Sequence, residues 1–329
     1  MKILVTGASG FLGKEIVGSV LEQDLEVICV YNKKKPEKSV TDNQKVKIYQ
    51  ADVSDKDQIK KIDLDEKVDV IIHCAGLAHQ FGRTGKESFR RVNVTGTKNI
   101  CELAVKLGCK RFILISSVSV YGNQNSGIAN MVTEDSECHP KDFYAESKLE
   151  SELICREICR KHGMSLSILR PSTIIGEGDR GNVSRLIKLI DRGYFFWFGQ
   201  GLNYKSLIYK KDVAQACLEI LHKSDRNFEI YNLSAEPFTM KEIVSEISNS
   251  LNKKDSHISF PEAIPRLLFN LNRKTLRIGK ILKLEETFRK WVSDDLFSAN
   301  LIKEQYGFEP QVSIREAIRL ETEAYLRQK

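Results

Sequence analysis

Tyr144, Lys148 and Ser117 are the residues of this sequence whose types and spacing most directly suggest catalysis. A tyrosine and a lysine at positions i and i+4 of a helix stand on the same face. An ammonium beside a phenol lowers the phenol pKa from its usual value of about 10, so Tyr144 could act as a general base at neutral pH. Ser117, at the end of an apolar run, could hold the same substrate oxygen. Together the three side chains predict proton transfer at a substrate hydroxyl.

A loop near the start of the chain is suited to binding phosphate. Its glycines follow an apolar strand and open a helix, a context that favours a dinucleotide loop over an ordinary turn. Gly7 permits a tight turn, Gly10 lets the backbone approach a pyrophosphate, and Gly13 lets the helix pack closely on the strand. The helix start would then bind the phosphates through its N–H groups and its dipole. The cofactor contacts predicted in this loop are Gly7, Ser9, Gly10, Phe11, Leu12 and Gly13.

The end of the second predicted strand bears on which dinucleotide binds. An acidic residue there usually accepts the ribose 2′-OH of NAD, but this chain has Tyr31, Asn32 and a run of three lysines that begins at Lys33. The missing carboxylate and the lysines suit a 2′-phosphate, so the sequence slightly favours NADP over NAD, although a lysine run is often only a solvated loop. Asp52, which closes the third strand, is placed to accept from the adenine amino group; a helix cap is the alternative.

Composition places the chain among globular proteins. It has 329 residues, 41% hydrophobic and 29% charged, which excludes a disordered or fibrous chain. The net charge of +7 permits attraction to anions without indicating a nucleic-acid partner. We find no run of 18 apolar residues and no signal peptide, and the eight cysteines include no CxxC pair. These features predict reduced thiols and a cytoplasmic location.

Apolar strands alternate with helical patterns through the first half of the chain. The candidate strands are 2–6, 26–31, 45–52, 68–75, 111–117 and 165–170. Because they are apolar on both faces, we expect a parallel sheet covered by helices, which is a Rossmann-type doubly wound α/β fold. The alternation breaks near residue 171. This predicts a dinucleotide-binding domain over 1–171, rejoined by 204–233, and a smaller, mostly helical substrate-binding domain made of 172–203 and 234–329.

With these motifs together, the chain resembles the extended short-chain dehydrogenases/reductases, and within them the NAD-dependent epimerase/dehydratase family. The matching motifs are Gly7-x-x-Gly10-x-x-Gly13, His73-Cys74-Ala75-Gly76, Asn93-Val94-Thr95-Gly96-Thr97, Ser116-Ser117-Val118-Ser119-Val120-Tyr121-Gly122, Tyr144-x-x-x-Lys148 and Leu169-Arg170-Pro171. The resemblance implies that Ser117, Tyr144 and Lys148 act on a sugar hydroxyl while NAD(P) takes or gives a hydride, and that Asn93 orders the centre of the sheet. It also implies cofactor contacts at Val53, Ala75, Gly76, Asn93, Lys148 and Pro171.

Departures from the family pattern narrow the reaction. Sugar 4,6-dehydratases carry Asp-Glu directly after the catalytic Ser/Thr, whereas Val118 and Ser119 follow Ser117 here, so dehydration is not expected. The resemblance leaves 4-epimerisation as the leading expectation and NADPH-dependent 4-keto-sugar reduction as the alternative. A third reading is a non-catalytic NADP-binding regulator, against which the intact Ser117, Tyr144 and Lys148 argue.

The substrate is also suggested by resemblance. Segments 176–183 and 199–206 resemble a subgroup that acts on N-acetylhexosamines carried on UDP or undecaprenyl diphosphate, in surface-polysaccharide synthesis. Asn182 and Val183 would present backbone to the diphosphate at a helix start, and Lys205 would pair with phosphate charge unless it is a surface charge on an edge strand. The predicted substrate contacts are His79, Ser117, Ser119, Thr173, Asn182, Val183 and Lys205.

Three further features concern metals and partners. Residues 264–284 hold six basic residues and no acid, interleaved with apolar ones; they could lie on an anionic membrane surface at its inner face, although a helix over the substrate pocket is favoured. Cys155, Cys159 and His162 span about 10.5 Å along a helix, too far to share one ion, so no metal is expected. By family resemblance we expect a homodimer through helices near 85–107 and 144–162.

Overall fold

The computed structural model describes residues 1–62, 64, 67–78, 85–122, 131–254, 258–261 and 292–329. Two features singled out in the sequence, His79 and the basic segment 264–284, lie outside the described residues. Across the described ranges, no helix is long and apolar enough to cross a membrane.

The strands and helices follow one another in the alternation that the sequence predicts. The strands are β1 Lys2–Thr6, β2 Glu26–Tyr31, β3 Val46–Gln50, β4 Val70–His73, β5 Arg111–Ile115, β6 Ser165–Pro171, β7 Thr173–Ile175, β8 Trp197–Phe198, β9 Tyr204–Lys205, β10 Leu207–Tyr209, β11 Phe228–Leu233, β12 Phe238–Thr239 and β13 Ser259–Phe260. The helices are α1 Gly13–Glu22, α2 Lys38–Thr41, α3 Lys56–Lys60, α4 Lys86–Phe89, α5 Gly96–Lys106, α6 Phe143–His162, α7 Asn182–Asp191, α8 Lys210–Lys223, α9 Met240–Ser250, α10 Asn300–Tyr306 and α11 Ile314–Arg327. A π-helix, Arg90–Thr95, joins α4 to α5, and a 3₁₀ turn, Val118–Tyr121, follows β5.

Seven strands form one parallel sheet in the order β3-β2-β1-β4-β5-β6-β11. All six predicted strands are in it, so the predicted doubly wound fold is confirmed. The chain reverses its direction across the sheet between β1 and β4, and ligands of such sheets bind beyond the carboxyl ends of the strands at this point. The ends of β1, β4, β5 and β6 should therefore border the site.

Helices bury both faces of this sheet. On one face α1 and α8 pack against it through residues such as Ile16 and Val213. On the other face α3, α5 and α6 contribute Ile59, Ile100 and Cys155 to a second buried cluster. Helix α6, which carries the predicted catalytic motif, is thereby held directly against the sheet.

Helix α6 is fixed at both ends by local sequence. The Asp142 carboxylate accepts the N–H of Ala145 at 2.9 Å and so caps the first turn. The helix ends at Gly163, whose φ of +66° is a backbone conformation that favours glycine. The cap places Tyr144 and Lys148 in the first two turns, beside the carboxyl end of β5.

The remaining strands build a second region. β7 pairs with β10, β9 with β12, and β8 with β13, while α7, α9 and α11 share a buried cluster that includes Ile187, Val244 and Ile318. Residues 204–209 belong to the segment 204–233 that we predicted to rejoin the first domain, but they form β9 and β10 on either side of Ser206 and do not pair with the large sheet. They pair with β12 and β7, whose positions the local sequence of 204–209 does not reveal.

The chain returns to the large sheet later than residue 204. Within the described part of the chain, α8 and β11 rejoin it, and α10 packs on the α1 face through Ile302 and Tyr306. The C-terminal segment therefore contributes to both regions. The division into two domains stays a prediction at its boundaries.

Candidate active site

The glycine loop forms a cradle at the carboxyl end of β1. Gly7 has a φ of +67°, and a Cβ on it would lie 2.9 Å from the backbone of Ala75. A Cβ on Gly13 would lie 2.0 Å from the carbonyl oxygen of Gly7, so α1 can approach β1 this closely only through glycine. Gly10 is exposed, and a Cβ there would meet only the Gly7 oxygen. The loop, which also carries Ser9, Phe11 and Leu12, therefore has the shape that a dinucleotide pyrophosphate requires.

A buried histidine connects the elements where the chain reverses its direction across the sheet, between β1 and β4. His73, at the end of β4, contacts the Thr6 hydroxyl at 2.7 Å and the Thr97 hydroxyl at 3.1 Å. Burial, with Lys148 nearby, lowers the pKa of His73 to about 3, so the ring is neutral. The Thr6 hydroxyl also accepts the N–H of Ala75 at 3.1 Å. This joins β1, β4 and α5 behind the predicted cofactor contacts Ala75 and Gly76.

Asn93 lies in the π-helix and clamps the segment that follows β4. Its side chain accepts the N–H of Leu77 at 2.7 Å and donates to the Leu77 carbonyl at 3.1 Å. It also donates to the Ser147 hydroxyl on α6 at 2.8 Å. Single π-helical turns are frequent at functional sites. Asn93 thus connects the end of β4 to the catalytic helix.

Tyr144 and Ser117 meet in the structure, as their types predicted. A hydrogen bond joins the Ser117 hydroxyl to the Tyr144 phenol. Burial nevertheless raises the pKa of Tyr144 to about 12, and this hydrogen bond only partly offsets the increase. Lys148 is not among the groups that shift this pKa here, because its ammonium is bound to the sheet, and its effect on Tyr144 stays a prediction.

Lys148 points past the phenol to the sheet. Its Nζ donates to the carbonyl of Ile115, at the end of β5, at 2.8 Å. A Cβ on Gly76 would lie 3.3 Å from this Nζ and 3.3 Å from the Asn93 Oδ1. Burial lowers the pKa of Lys148. The ammonium is therefore set at the end of β4, where the predicted cofactor and substrate contacts adjoin.

A buried charged network behind Ser117 was not found in the sequence. Arg170 on β6 forms a two-pronged ion pair with Glu152 on α6, at 2.6 and 3.0 Å. Arg170 also donates to the Tyr121 hydroxyl at 2.8 Å, and Ser116 donates to Glu152. The only sequence signal was Arg170 within the Leu-Arg-Pro motif, together with Glu152 four residues after Lys148. The network fixes the backbone on which Ser117 stands.

The adenosine end of the predicted cofactor site is more exposed to solvent than the end near Lys148. Tyr31 ends β2, and Asn32 and Lys33 are exposed. Asp52 accepts from the N–H and hydroxyl of Ser54, at 2.9 and 2.7 Å. Burial of Asp52 opposes ionisation, but the hydrogen bonds from Ser54 and Asn32 lower its pKa overall. Asp52 is thus a charged acceptor at this edge.

Two further predicted cofactor contacts have structural partners. The Val53 carbonyl accepts from the Asn99 amide at 2.9 Å, and its side chain packs against Gly96. Pro171 is buried at the end of β6, paired with Leu233 of β11. Both residues are held in place by backbone contacts at the border of the predicted site.

On the substrate side, the predicted residues lie in different settings. Ser119 has a buried hydroxyl that finds no hydrogen-bond partner within the described chain, whereas Thr173 and Asn182 are exposed and Val183 is buried at the start of α7. Lys205 differs from expectation. Its ammonium is buried and bound by Asp295 at 2.7 Å and by the carbonyl of Ser293 at 2.7 Å. Lys205 thus connects β9 to the segment 293–295. It is neither a surface charge nor a cation without a protein partner.

Comparisons with known proteins decide the family. Residues 3–234 match the profile of the NAD dependent epimerase/dehydratase family. The chain belongs to this family. Its homologues include sugar epimerases and dehydratases, and the chain is an enzyme of the extended short-chain dehydrogenase/reductase type.

Three relatives illustrate the likeness. An N-acetyl-α-D-glucosaminyl-diphospho-ditrans,octacis-undecaprenol 4-epimerase of Escherichia coli O157:H7 is 32% identical over 271 residues, which are 79% of this chain and 76% of the relative. The UDP-glucose 4-epimerase of Thermotoga maritima, solved with UDP-glucose, has a TM-score of 0.78 and 23% identity over 100% of this chain and 99% of its own. The UDP-glucuronic acid 4-epimerase of Bacillus cereus, solved with NAD, has a TM-score of 0.77 and 20% identity, with coverage of 100% and 99%. The two solved structures show that the fold is shared.

Thiols and acids elsewhere in the described chain form no metal centre: no group of three or more His, Cys, Asp or Glu side chains there is arranged to hold an ion. All eight cysteines are free. Cys155 lies 3.4 Å from Cys101 and 3.9 Å from Cys159, sulfur to sulfur, in the interface between α5 and α6. Their role is to fill that interface.

Proposed function

We propose that the protein is an NAD(P)-dependent 4-epimerase of an N-acetylhexosamine carried on a diphosphate, either UDP or undecaprenyl diphosphate. The observation that carries this proposal is the Ser117–Tyr144 hydrogen bond at the end of β5, beside the glycine loop. A serine and a phenol on one substrate hydroxyl suit oxidation at a sugar carbon. The lack of an acid directly after Ser117 argues against dehydration.

Each residue has a defined task in this proposal. A bound dinucleotide would supply the hydride acceptor and donor. Tyr144 removes the proton from O4 as C4 is oxidised and gives it back when C4 is reduced, while Ser117 donates to the same oxygen. Burial raises the pKa of Tyr144, and the hydrogen bond from Ser117 acts in the opposite direction, so Ser117 favours the phenolate that this role requires. Lys148 would hold ribose hydroxyls from its position at the end of β4 and contribute positive charge.

The substrate class is supported by two observations. The Escherichia coli relative acts on an N-acetylglucosaminyl group linked through a diphosphate to undecaprenol. The exposed start of α7 at Asn182 supports a diphosphate contact, because the dipole of a helix favours an anion at its N-terminus. The unpartnered Ser119 hydroxyl and exposed Thr173 would contact the sugar, whereas Lys205, already paired, would act on phosphate only through its field.

For the cofactor we infer NAD or NADP. The family and the Bacillus cereus structure support NAD. The exposed lysines that begin at Lys33, with no carboxylate at the end of β2, support NADP.

For the assembly we infer a homodimer and, if the substrate is linked to a lipid, a peripheral membrane contact. Phe143 and Leu153 on α6 are exposed apolar side chains, which supports an interface there. The basic composition of segment 264–284 supports contact with anionic lipid at the cytoplasmic face.

A release-and-turnover assay tests the function. The purified protein is denatured, any dinucleotide set free is identified, and intact protein is then offered a UDP-N-acetylhexosamine without added cofactor. We expect retained dinucleotide and product inverted at C4. Empty protein that turns over only a 4-keto sugar, with stoichiometric loss of NADPH, would make it a reductase and overturn the proposal.

A further inference from the structure

Two carboxyl groups meet beneath the loop that leads into α7. Glu321 on α11 is 4% exposed, and its Oε2 accepts the N–H of Gly176 at 2.9 Å. Its Oε1 is also buried and receives no hydrogen bond from any donor in the described ranges. Asp179 is bound to Gly176 as well, because its backbone N–H donates to the Gly176 carbonyl at 3.0 Å. Burial and this neighbouring carboxyl group raise the pKa of Glu321. Two carboxylates held on one glycine can only accept hydrogen bonds, so a proton is needed to relieve their repulsion.

Asp179 in turn holds the first turn of α7. Its Oδ1 accepts the N–H of Gly181 at 2.8 Å, and it is hydrogen-bonded by the backbone of Arg180 and Ser184. A Cβ on Gly181 would lie 3.0 Å from this oxygen, so the backbone rests directly on the carboxyl. Glu321 therefore fixes one end of the loop 176–181 itself and the other end through Asp179.

The surroundings do not supply a positive charge to Glu321. The titratable groups that face the pair are Glu177, Arg185, Tyr209 and Lys210, while α9 contributes Glu242 and Glu246, which face Arg315 at the start of α11. Lys210 is occupied, because its Nζ pairs with Glu177 and with Glu15, each at 3.2 Å. Among the described residues no cation forms an ion pair with Glu321. Arg185 on α7 interacts with Asp179, so a positive charge reaches only that member of the pair, and a proton is the remaining way to neutralise Glu321.

We propose that Asp179 and Glu321 share one proton, and that this proton positions the loop 176–181 and the start of α7 for the diphosphate of the substrate. Glu321 is a positioning residue, since it acts on the substrate only through Asp179 and Gly176. The ligand in this inference rests on the proposed function, but the sharing of the proton does not.

The shared proton is lost at mildly alkaline pH. Burial and the neighbouring Asp179 raise the pKa of Glu321 to about 8. Its pKa in the unfolded chain is about 4.3, so the folded state binds the extra proton. The pair therefore contributes its full stability below about pH 4.3, and this contribution falls as the pH rises to about 8. Above that pH both carboxyls are charged and repel each other.

Steady-state kinetics with a UDP-N-acetylhexosamine at pH 7 and pH 9 test the positioning role. If only the protonated pair holds the loop, about one tenth of the protein is competent at pH 9, and the KM of the wild type rises about tenfold. In Glu321→Gln the amide can donate to Asp179 and still accept from Gly176, so its KM should stay level. The KM of Asp179→Asn should also stay level. Glu323→Gln is the control, because Glu323 lies on the same helix with an exposed carboxylate, and its KM should rise as in the wild type. A tenfold rise that persists in Glu321→Gln overturns the positioning role.

Urea unfolding of the same proteins between pH 5 and pH 9 tests the shared proton without any substrate. The wild type and Glu323→Gln should lose stability up to about pH 8 relative to Glu321→Gln. Equal slopes in all three would overturn the shared proton. If no sugar diphosphate is turned over at all, the proposed function fails while the unfolding data still decide the inference.

Discussion

At the scale of single residues, Tyr144 and Lys148 share one face of α6 but serve different partners. The phenol is bound to Ser117, whereas the ammonium is bound to the Ile115 carbonyl and lies against Gly76. In the proposed function, proton transfer therefore depends on the Ser117–Tyr144 pair, and Lys148 acts mainly on the cofactor.

Replacing Tyr144 should separate chemistry from binding. Tyr144→Phe removes the proton acceptor and keeps the ring, so we expect kcat to fall about 10²–10⁴-fold with unchanged dinucleotide affinity. Turnover of a UDP-N-acetylhexosamine and dinucleotide titration measure the two effects. Tyr194→Phe, which alters an exposed phenol, is the control. An unchanged reaction rate in Tyr144→Phe would refute the proposed base.

The proposed catalytic residues could be picked out from sequence because their chemistry demands particular side chains at fixed spacing. The setting of Tyr144 could not, since its pKa depends on burial that no local pattern reports. Lys205 shows the same limit. A lysine on a short strand is expected at the surface. The side chain of Lys205 is instead buried, and its ammonium forms an ion pair with Asp295, ninety positions away in the sequence.

At the scale of elements, α1 approaches β1 only where glycine allows it. Gly13→Ala would place a Cβ 2.0 Å from the Gly7 oxygen, and we expect a loss of about 1–3 kcal/mol of stability together with weaker dinucleotide binding. Gly18→Ala lies in the same helix with nothing within 4 Å of the added carbon, and it should gain about 0.5–1 kcal/mol. Urea unfolding and dinucleotide titration compare the two. Similar behaviour of both variants would show that the close approach is not what Gly13 provides.

Two glutamates on α6 provide a second matched comparison. Glu152 pairs with buried Arg170, and Glu150 pairs with exposed Arg90. Glu152→Ala leaves a buried guanidinium unpaired and should cost about 3–5 kcal/mol in urea unfolding. Glu150→Ala should cost little, because solvent screens the exposed pair. A small loss in Glu152→Ala would mean that the network does not support the backbone at Ser117.

The large sheet could be predicted because buried parallel strands are apolar on both faces, so each strand can be recognised from its own residues. The short strands could not. Whether residues 205–209 join the sheet depends on partners at Thr173 and Phe238, which the segment itself does not specify. The Glu152–Arg170 pair was missed for a similar reason, since charged residues are interpreted as surface until their partner is known.

At the scale of the whole molecule, the basic segment 264–284 gives the chain a region suited to a lipid surface. If the substrate is linked to a lipid, we expect the protein to co-sediment with vesicles of anionic phosphatidylglycerol at low salt and to be released as the salt rises. Vesicles of neutral phosphatidylcholine are the control. Failure to bind anionic vesicles at low salt would exclude this contact.

The position of β11 at the edge of the sheet has a consequence for synthesis on the ribosome. Strand β6 ends at Pro171, but its neighbour begins only at Phe228. At ~5–20 residues per second, the nascent chain needs about 3–11 s to make the missing partner. During that interval β6 presents an unpaired apolar edge to other chains. Slow translation between these two strands would prolong the exposure of the β6 edge. A chaperone that shields this edge would have its largest effect during that interval.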